Sequence, residues 1–468
     1  MDNCQRCKKQ RAVIKSRKET FCEECFAKFV SLKQRKRMMG DDFYRDVFKV
    51  SYNKDGTHGV GKVAMGFDFQ SSSLVALDVI IQVLREQNRQ HRGKVGFELD
   101  LVSIYKDEEN LNQFKNSWQE IISSERYSGD DILNHIKIHL IDVNTFYNDK
   151  ILRQILVHNI DFNAMAMKWE EDDKFTVAGL LKLCPNRNTR NDFWNTIVQH
   201  TVKKFAMQSH CSVLIWGHSM TRLADQILGM VIKGRGAHVA SSLDTDNFDV
   251  SYGGSFKNLY PMKDILLSEI DAYTISQGLE SYLVDYTLRR SLLIAEEDAN
   301  KDKTNSMLVK NMTINELVRK YYDDMEGEYS NIVSTVLRTG DKLQTPVKYL
   351  EEGESAKKCS VCSNAIYSDP SLWLRSITVI KGHPIETEEE QVYYNQWKES
   401  KVGIETEQYM KLKDTVWENG EAIPLCYGCT INLNGIKGKN IIWPKNDKEE
   451  LQNVLDEYQL TDDEGEDI

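Results

Sequence analysis

The sequence predicts an α/β protein: a parallel sheet covered by helices, with a cysteine-bound zinc module toward each end of the chain. Three observations carry that expectation. From about residue 58 to 280, short apolar runs alternate with segments of helical periodicity, as a parallel sheet with helices on both faces requires. Eight of the ten cysteines fall into four C-x-x-C pairs, two toward each end. With 468 residues, 41% of them hydrophobic, the chain can bury a substantial core in two or three domains.

The first element is a basic module over residues 1–40, in which Cys4/Cys7 and Cys22/Cys25 are separated by fourteen residues. A two-residue gap lets both thiolates of a pair turn toward one ion, and two pairs complete the tetrahedral sulfur shell that zinc prefers. Disulfides are the alternative. The chain opens MDNCQRCKKQ, with charge and cysteine where a signal peptide carries its apolar stretch, so a reducing, intracellular setting is expected and metal is favoured. No run of eighteen apolar residues occurs, and a soluble, cytoplasmic protein follows as the expectation.

Net charge is -11, which by itself argues against a simple binder of polyanions. Its distribution says more. Residues 1–40 hold twelve Lys and Arg against four acids, whereas residues 447–468 hold ten acids against one lysine. Around the first cysteine pairs, Arg6, Lys8, Lys9, Arg11, Lys15, Arg17 and Lys18 reach a density suited to a phosphate backbone. The run KQRKR at 33–37 reads as a solvated helix face or a phosphate contact, and it also resembles a nuclear signal, although basic runs near zinc modules are frequent in RNA binders and a cytoplasmic location leads; the acidic tail reads as disordered.

In the middle of the chain, over about 58–295, strands are expected at 61–65, 97–104, 136–143 and 212–216, and helices at 74–87, 111–122, 191–208 and 221–232. Ligands of such sheets sit outside the carboxyl ends of the strands, which singles out the loops 66–73 and 217–221. Backbone amides at a helix start hold phosphate oxygens. Ser71, Ser72 and Ser73 can cap the helix there or donate to a phosphate.

Residues 296–312 read as a polar linker within a 296–350 segment of linker and helices, where Thr313 followed by Glu316 has capping-box form. The second zinc module, over 351–446, uses Cys359/Cys362 and Cys426/Cys429, sixty-three residues apart, and therefore contains an insertion. That insertion carries Trp373, Trp397 and Trp417, read either as buried residues of a small subdomain or as stacking surfaces. Four sulfurs per ion leave no open coordination position, so both ions would be structural.

Three segments carry a resemblance. VAMGFDFQSSSLVALDVI, 63–80, resembles the PP-loop of the ATP pyrophosphatase superfamily, whose pattern is S-G-G-x-D-S. GHSMTRLADQIL, 217–228, resembles that superfamily's G-H-x-x-D-D-x-A-E-T-x-L segment, and YPMKDILLSEIDAY, 260–273, is similar to the R-P-L-K helix of its thiouridine-forming tRNA branch. With STVLRTGDKL at 334–343 and a zinc module at each end, nearly the whole chain resembles the eukaryotic cytoplasmic tRNA 2-thiolation family. The resemblance implies a PP-loop fold of the adenine nucleotide alpha hydrolase-like type and work on the wobble uridine, U34, of tRNA Lys, Glu and Gln. It also implies a heterodimer with the catalytic tRNA 2-thiolation protein 1, and sulfur from the thiocarboxylate of a ubiquitin-related modifier.

Against that pattern the chain departs at the chemistry. Its first loop has one glycine, Gly66, followed by Phe67 and Phe69; Asp68 arrives early, and Ser71 and Ser72 stand where Asp and Ser belong. In the second loop Gly217, His218, Ala224 and Leu228 keep the frame, but Thr221 and Arg222 replace the paired aspartates that the resemblance implicates in the metal and nucleotide site. Relatives use two cysteines for sulfur; here Cys184 stands alone in LCPNRNTR, followed by Arg187 and Arg190 as candidate phosphate contacts, and Cys211 reads as core.

The expectation is a non-catalytic or weakly catalytic subunit that contributes tRNA grip and dimer contacts, with ATP and magnesium doubtful ligands of this chain. An active ATP-dependent tRNA sulfurtransferase and a scaffold without RNA contact remain the alternatives.

Overall fold

In the computed structural model, residues 3–52, 58–128, 131–148, 176–184, 186–294, 312–326, 331–344, 358, 359, 361–367, 385, 387–404, 407 and 425–434 are described. They fall into two units. Residues 1–150, 176–368 and 425–436 belong to the larger, and 151–175, 369–424 and 437–468 to the smaller. Trp373, Trp417, the acidic tail and most of the expected linker lie outside the described residues.

The larger unit opens with a hairpin, β1 (Ile14–Ser16) and β2 (Glu19–Phe21), then α1 (Glu23–Met38) and α2 (Asp42–Phe48). A two-residue ladder joins β3 (Ser51–Tyr52) to β4 (His58–Gly59). The central sheet holds β5 (Gly61–Gly66), β6 (Phe97–Tyr105), β7 (Ile136–Asp142), β8 (Val213–Trp216) and β9 (Lys257–Leu259) in the order β7-β6-β5-β8-β9, every neighbour parallel. Val63, Ala64 and Met65 on β5, and Val213, Leu214 and Ile215 on β8, are buried on both faces. That is why these strands read as continuous apolar runs without alternation.

The chain builds outward from β5 to β7, then returns to place β8 on the other side of β5. The strand order therefore reverses between β5 and β8, the position at which doubly wound sheets open a crevice. Helices α3 (Ser71–Gln90), α4 (Glu108–Ser123), α5 (Val177–Leu183), α6 (Arg187–Gln208), α7 (Met220–Ile232), α8 (Val239–Leu243) and α9 (Leu267–Ser276) follow in chain order.

The four expected strands and four expected helices are present, with shifted ends. Helix α3 starts at Ser71 and not at 74, because the three serines are buried in its first turn. Helices α4 and α6 begin directly after Asp107 and Asn186, whose side chains accept the N–H of Asn110 and Thr189. The edge strand β9 was not expected: three residues give no period to read.

The N-terminal hairpin is fastened to this core by a buried carboxylate. Glu269 on α9 is wholly buried and accepts from Ser16 Oγ at 2.7 Å and Arg17 Nε at 2.9 Å. Later in the unit come α10 (Ile314–Glu326), with Thr313 and Glu316 in the expected reciprocal cap, and α11 (Asn331–Gly340). In the smaller unit, α12 (Glu388–Glu399) starts behind a Thr387/Glu390 capping box and carries Trp397 exposed. Helix α13 (Tyr427–Asn434) of the larger unit closes the second cysteine group. Among the described residues no helix is long and apolar enough to cross a membrane.

Candidate functional site

Between the carboxyl ends of β5 and β8 lies a cleft of about 420 Å³, bordered by Gly66, Asp68, Ser73, Gly217, His218 and Arg222. Both loops singled out by the sequence thus meet in one place. Gly217 makes the meeting possible: a Cβ there would stand 2.9 Å from the Cα of Ser73, so the two backbones could not close with any other residue. Where the PP-loop pattern has glycine, Phe69 carries a left-handed backbone at φ 55°. Its buried ring sits 4.5 Å from that of Phe67 and 4.7 Å from that of Phe114.

The three serines have separate fates. Ser71 turns inward and donates to Asp271 at 2.6 Å, and Ser72 is buried without bordering the cleft. Ser73 faces the cleft, but its hydroxyl is given to Asp68 Oδ1 at 2.6 Å. The same oxygen accepts the Gln70 N–H at 3.1 Å, while Oδ2 faces Arg222 Nη1 at 3.4 Å. Thr221 is buried and its Oγ1 accepts the N–H of Leu267 at 3.1 Å. Neither residue at 221 nor at 222 offers a carboxylate to the cleft.

His218 lies flat against Tyr260, 5.7 Å between ring centroids and 25° between planes. Burial, with the charge of Arg222 added, holds its pKa well below the usual imidazole range, so the ring is neutral. Its Nδ1 is buried and has no hydrogen-bond partner among the described residues.

Beyond His218 a second cavity of about 290 Å³ runs to the C-terminal cysteine group. Asp192 on α6 organises it, taking Lys233 Nζ at 2.6 Å and Arg235 Nη2 at 2.9 Å; the same Arg235 nitrogen reaches the Gly428 carbonyl at 3.4 Å, tying α13 to the turn after α7. Burial pushes the Asp225 carboxyl up to about 6, and Arg319 offsets it only in part. These residues were missed by the sequence reading. Asp192 lies about forty residues from Lys233 and Arg235, and nothing local marks it as their neighbour.

The eight paired cysteines form two groups, Cys4, Cys7, Cys22, Cys25 and Cys359, Cys362, Cys426, Cys429, in each of which all four sulfurs lie within 4.8 Å of one another and could hold a metal ion. Their construction is alike. The first pair sits on a turn in which Lys8 donates to the Cys4 carbonyl at 2.8 Å with φ 58°, and Ser363 donates to the Cys359 carbonyl at 2.8 Å with φ 60°. The second pair opens a helix, α1 after Cys22 and α13 after Cys426. At Cys4, burial raises the thiol, but backbone N–H groups of Cys7, Cys22 and Arg6 outweigh it and bring the pKa down to about 6, as suits a sulfur that serves as thiolate.

The basic side chains chosen from sequence divide. Lys8, Lys9, Arg11 and Lys18 are exposed and form no ion pair among the described residues. Arg6 pairs with Glu19 at 2.9 Å, Arg17 with Glu269, and Arg187 with Glu316 at 2.6 Å; Arg190 donates to the Leu181 carbonyl at 3.1 Å. Lys15 is exposed, with its backbone N–H on the Leu292 carbonyl. Burial raises the Cys184 and Cys211 thiols to about 11, and neither borders the cleft.

The family described as cytoplasmic tRNA 2-thiolation protein 2 matches through its model at residues 313–431, a stretch that runs from the α10 cap through the second cysteine group. The curated protein of that name from Candida glabrata is 43% identical over 98% of this chain and 99% of its own length. The chain belongs to the cytoplasmic tRNA 2-thiolation protein 2 family. Members from Kluyveromyces lactis, 38% identical over 99% of both chains, and from Saccharomyces cerevisiae, 36% identical over 98% of this chain and 99% of its own, extend the same agreement. The family is named for 2-thiolation of cytoplasmic tRNA. Among solved structures, a U34-tRNA thiolase from Methanococcus maripaludis with its [4Fe-4S] cluster aligns over 81% of this chain and 98% of its own, at 15% identity and a TM-score of 0.46.

Proposed function

We propose that this family member is the non-catalytic or weakly catalytic subunit of a heterodimer that 2-thiolates U34 of cytoplasmic tRNA Lys, Glu and Gln. Its partner is the catalytic tRNA 2-thiolation protein 1, and the sulfur comes from a thiocarboxylated ubiquitin-related modifier. This chain contributes tRNA grip and dimer contacts. The observation that carries the reading is the start of α7, where Thr221 is turned into the protein and Arg222 projects a cation at the cleft. A divalent cation bridging phosphates needs hard anionic oxygens at such a place, and a guanidinium cannot supply them.

Sulfur chemistry is weak in the same way. Cys184 is buried, its thiol raised to about 11, and it has no cysteine beside it among the described residues that could hold a cluster or take over a persulfide. ATP and magnesium are accordingly not assigned to this chain.

Both cysteine groups are read as structural zinc centres. A tetrahedron with bonds of about 2.3 Å has edges of about 3.8 Å. Cys7 and Cys22 stand 3.8 Å apart and Cys362 and Cys426 stand 3.6 Å apart, sulfur to sulfur, which fits that shell. Bound there, zinc would fix the turn-and-helix pairs and supply no chemistry. The first centre then presents Lys8, Lys9, Arg11 and Lys18, exposed and without an ion pair among the described residues, to RNA phosphates. Titrating tRNA against this chain, against the catalytic partner and against the pair tests the assignment: this chain must raise the affinity of the pair.

A further inference from the structure

Gln70 and Ser73, at the start of α3, border the cleft, and a negative charge already stands before them. Helix N-termini carry roughly half a positive charge and free amide donors, which is why phosphates settle there. In this chain Asp68, two positions ahead of the N-cap residue Gln70, sets a carboxylate beside that helix start. Its carboxylate receives a backbone N–H from Gln70, a hydroxyl from Ser73 and the charge of Arg222, at 3.1, 2.6 and 3.4 Å. Amide, hydroxyl and guanidinium are the donors a phosphate would use.

The turn that sets Asp68 there is held by force. A left-handed backbone carries a steric cost for phenylalanine. Phe69 pays that cost through its buried ring, stacked on Phe114, and through its carbonyl, which accepts the Val284 N–H at 3.1 Å. Size is not what closes the site, since about 420 Å³ remains beside Trp194 and Trp216. His218, which borders the same cleft, has a buried Nδ1 that lacks a partner among the described residues.

We propose that Asp68 is the residue that turns phosphate away: a resident anion fixed over the start of α3, so that an incoming phosphoryl group meets a like charge and finds its donors taken. The inference rests on reading these loops as a nucleotide site without its chemistry, and it adds a cause separate from the missing aspartates.

The test is calorimetric titration of the full metal-loaded chain with inorganic pyrophosphate, in the parent and in Asp68→Asn, Asp68→Gly and Asp68→Glu. Parent and Asp68→Glu should show no binding, while Asp68→Asn and Asp68→Gly should gain at least about tenfold in affinity. Asp68→Asn is isosteric and decides the matter even if the glycine variant fails to fold, which circular dichroism reports. Pyrophosphate binding by the parent, or no gain in Asp68→Asn, overturns the proposal. Neither outcome depends on thiolation, so failure here is distinguishable from failure of the subunit assignment.

Discussion

Arg17 Nε and Ser16 Oγ both donate to Oε1 of Glu269, at 2.9 and 2.7 Å, so two consecutive residues of the N-terminal hairpin grip one buried carboxylate on α9. Lys33 Nζ stands 3.8 Å from the other oxygen. The first cysteine group is thereby held to the sheet domain by a charge that has no route to water.

Because Lys33 remains as a second cation, Arg17→Ala should cost about 1–3 kcal/mol of unfolding free energy. Removing Lys33 as well leaves the buried Glu269 with its Ser16 and Leu266 donors but neither neighbouring cation, and the double variant should lose more than the sum of the single losses. Urea unfolding of the four proteins checks this; strict additivity would show that the two cations act independently.

Much of this architecture was legible because its signals are local. The runs that became β5, β6 and β8, the Thr313 cap and the four C-x-x-C pairs each declare themselves within a few residues. What the sequence hid is the use of its cations. Arg17 and Glu269 are 252 residues apart and Arg187 and Glu316 are 129 apart, so two arginines chosen as candidate RNA contacts also form ion pairs within the chain that no local pattern reveals. The altered loops were visible as lost motifs. That Asp68 would occupy the space so left is a matter of three-dimensional placement, set by a left-handed Phe69 that no propensity favours.

Metal content follows from reading both cysteine groups as zinc centres. Plasma mass spectrometry should find two zinc ions per chain, falling to one in Cys4→Ser/Cys7→Ser and to one in Cys359→Ser/Cys362→Ser. Chelation of the second centre should free α13 from Arg235 and raise amide exchange in the segment after α7.

A pH dependence follows from Asp225, whose folded pKa of about 6 stands above the ordinary 3.8. The protonated form is the one the fold favours, so this group supports folding below about pH 4, and that support is lost as pH rises through about 6. Asp225→Asn keeps the neutral shape at all pH values. It should stabilise the protein by about 1–3 kcal/mol near pH 7 and by nearly nothing near pH 4, read from thermal melts at both. Equal effects at the two pH values would contradict the burial argument.

Charge reversal of Lys8, Lys9 and Arg11 should weaken tRNA binding and flatten its dependence on salt, by roughly 2–3 units in the slope of log affinity against log salt. Arg187→Glu, which breaks an internal pair with Glu316, should act on stability and leave that slope unchanged. Filter binding across a salt series separates the two.

The central claim, that this chain assists a competent partner and cannot exchange the uridine oxygen for sulfur itself, meets its most direct test in nucleoside mass spectrometry. The purified chain is incubated with tRNA, ATP, magnesium and a sulfur donor, with and without the catalytic partner. The account predicts 2-thiouridine only when the partner is present; thiolated nucleoside formed by this chain alone would contradict it.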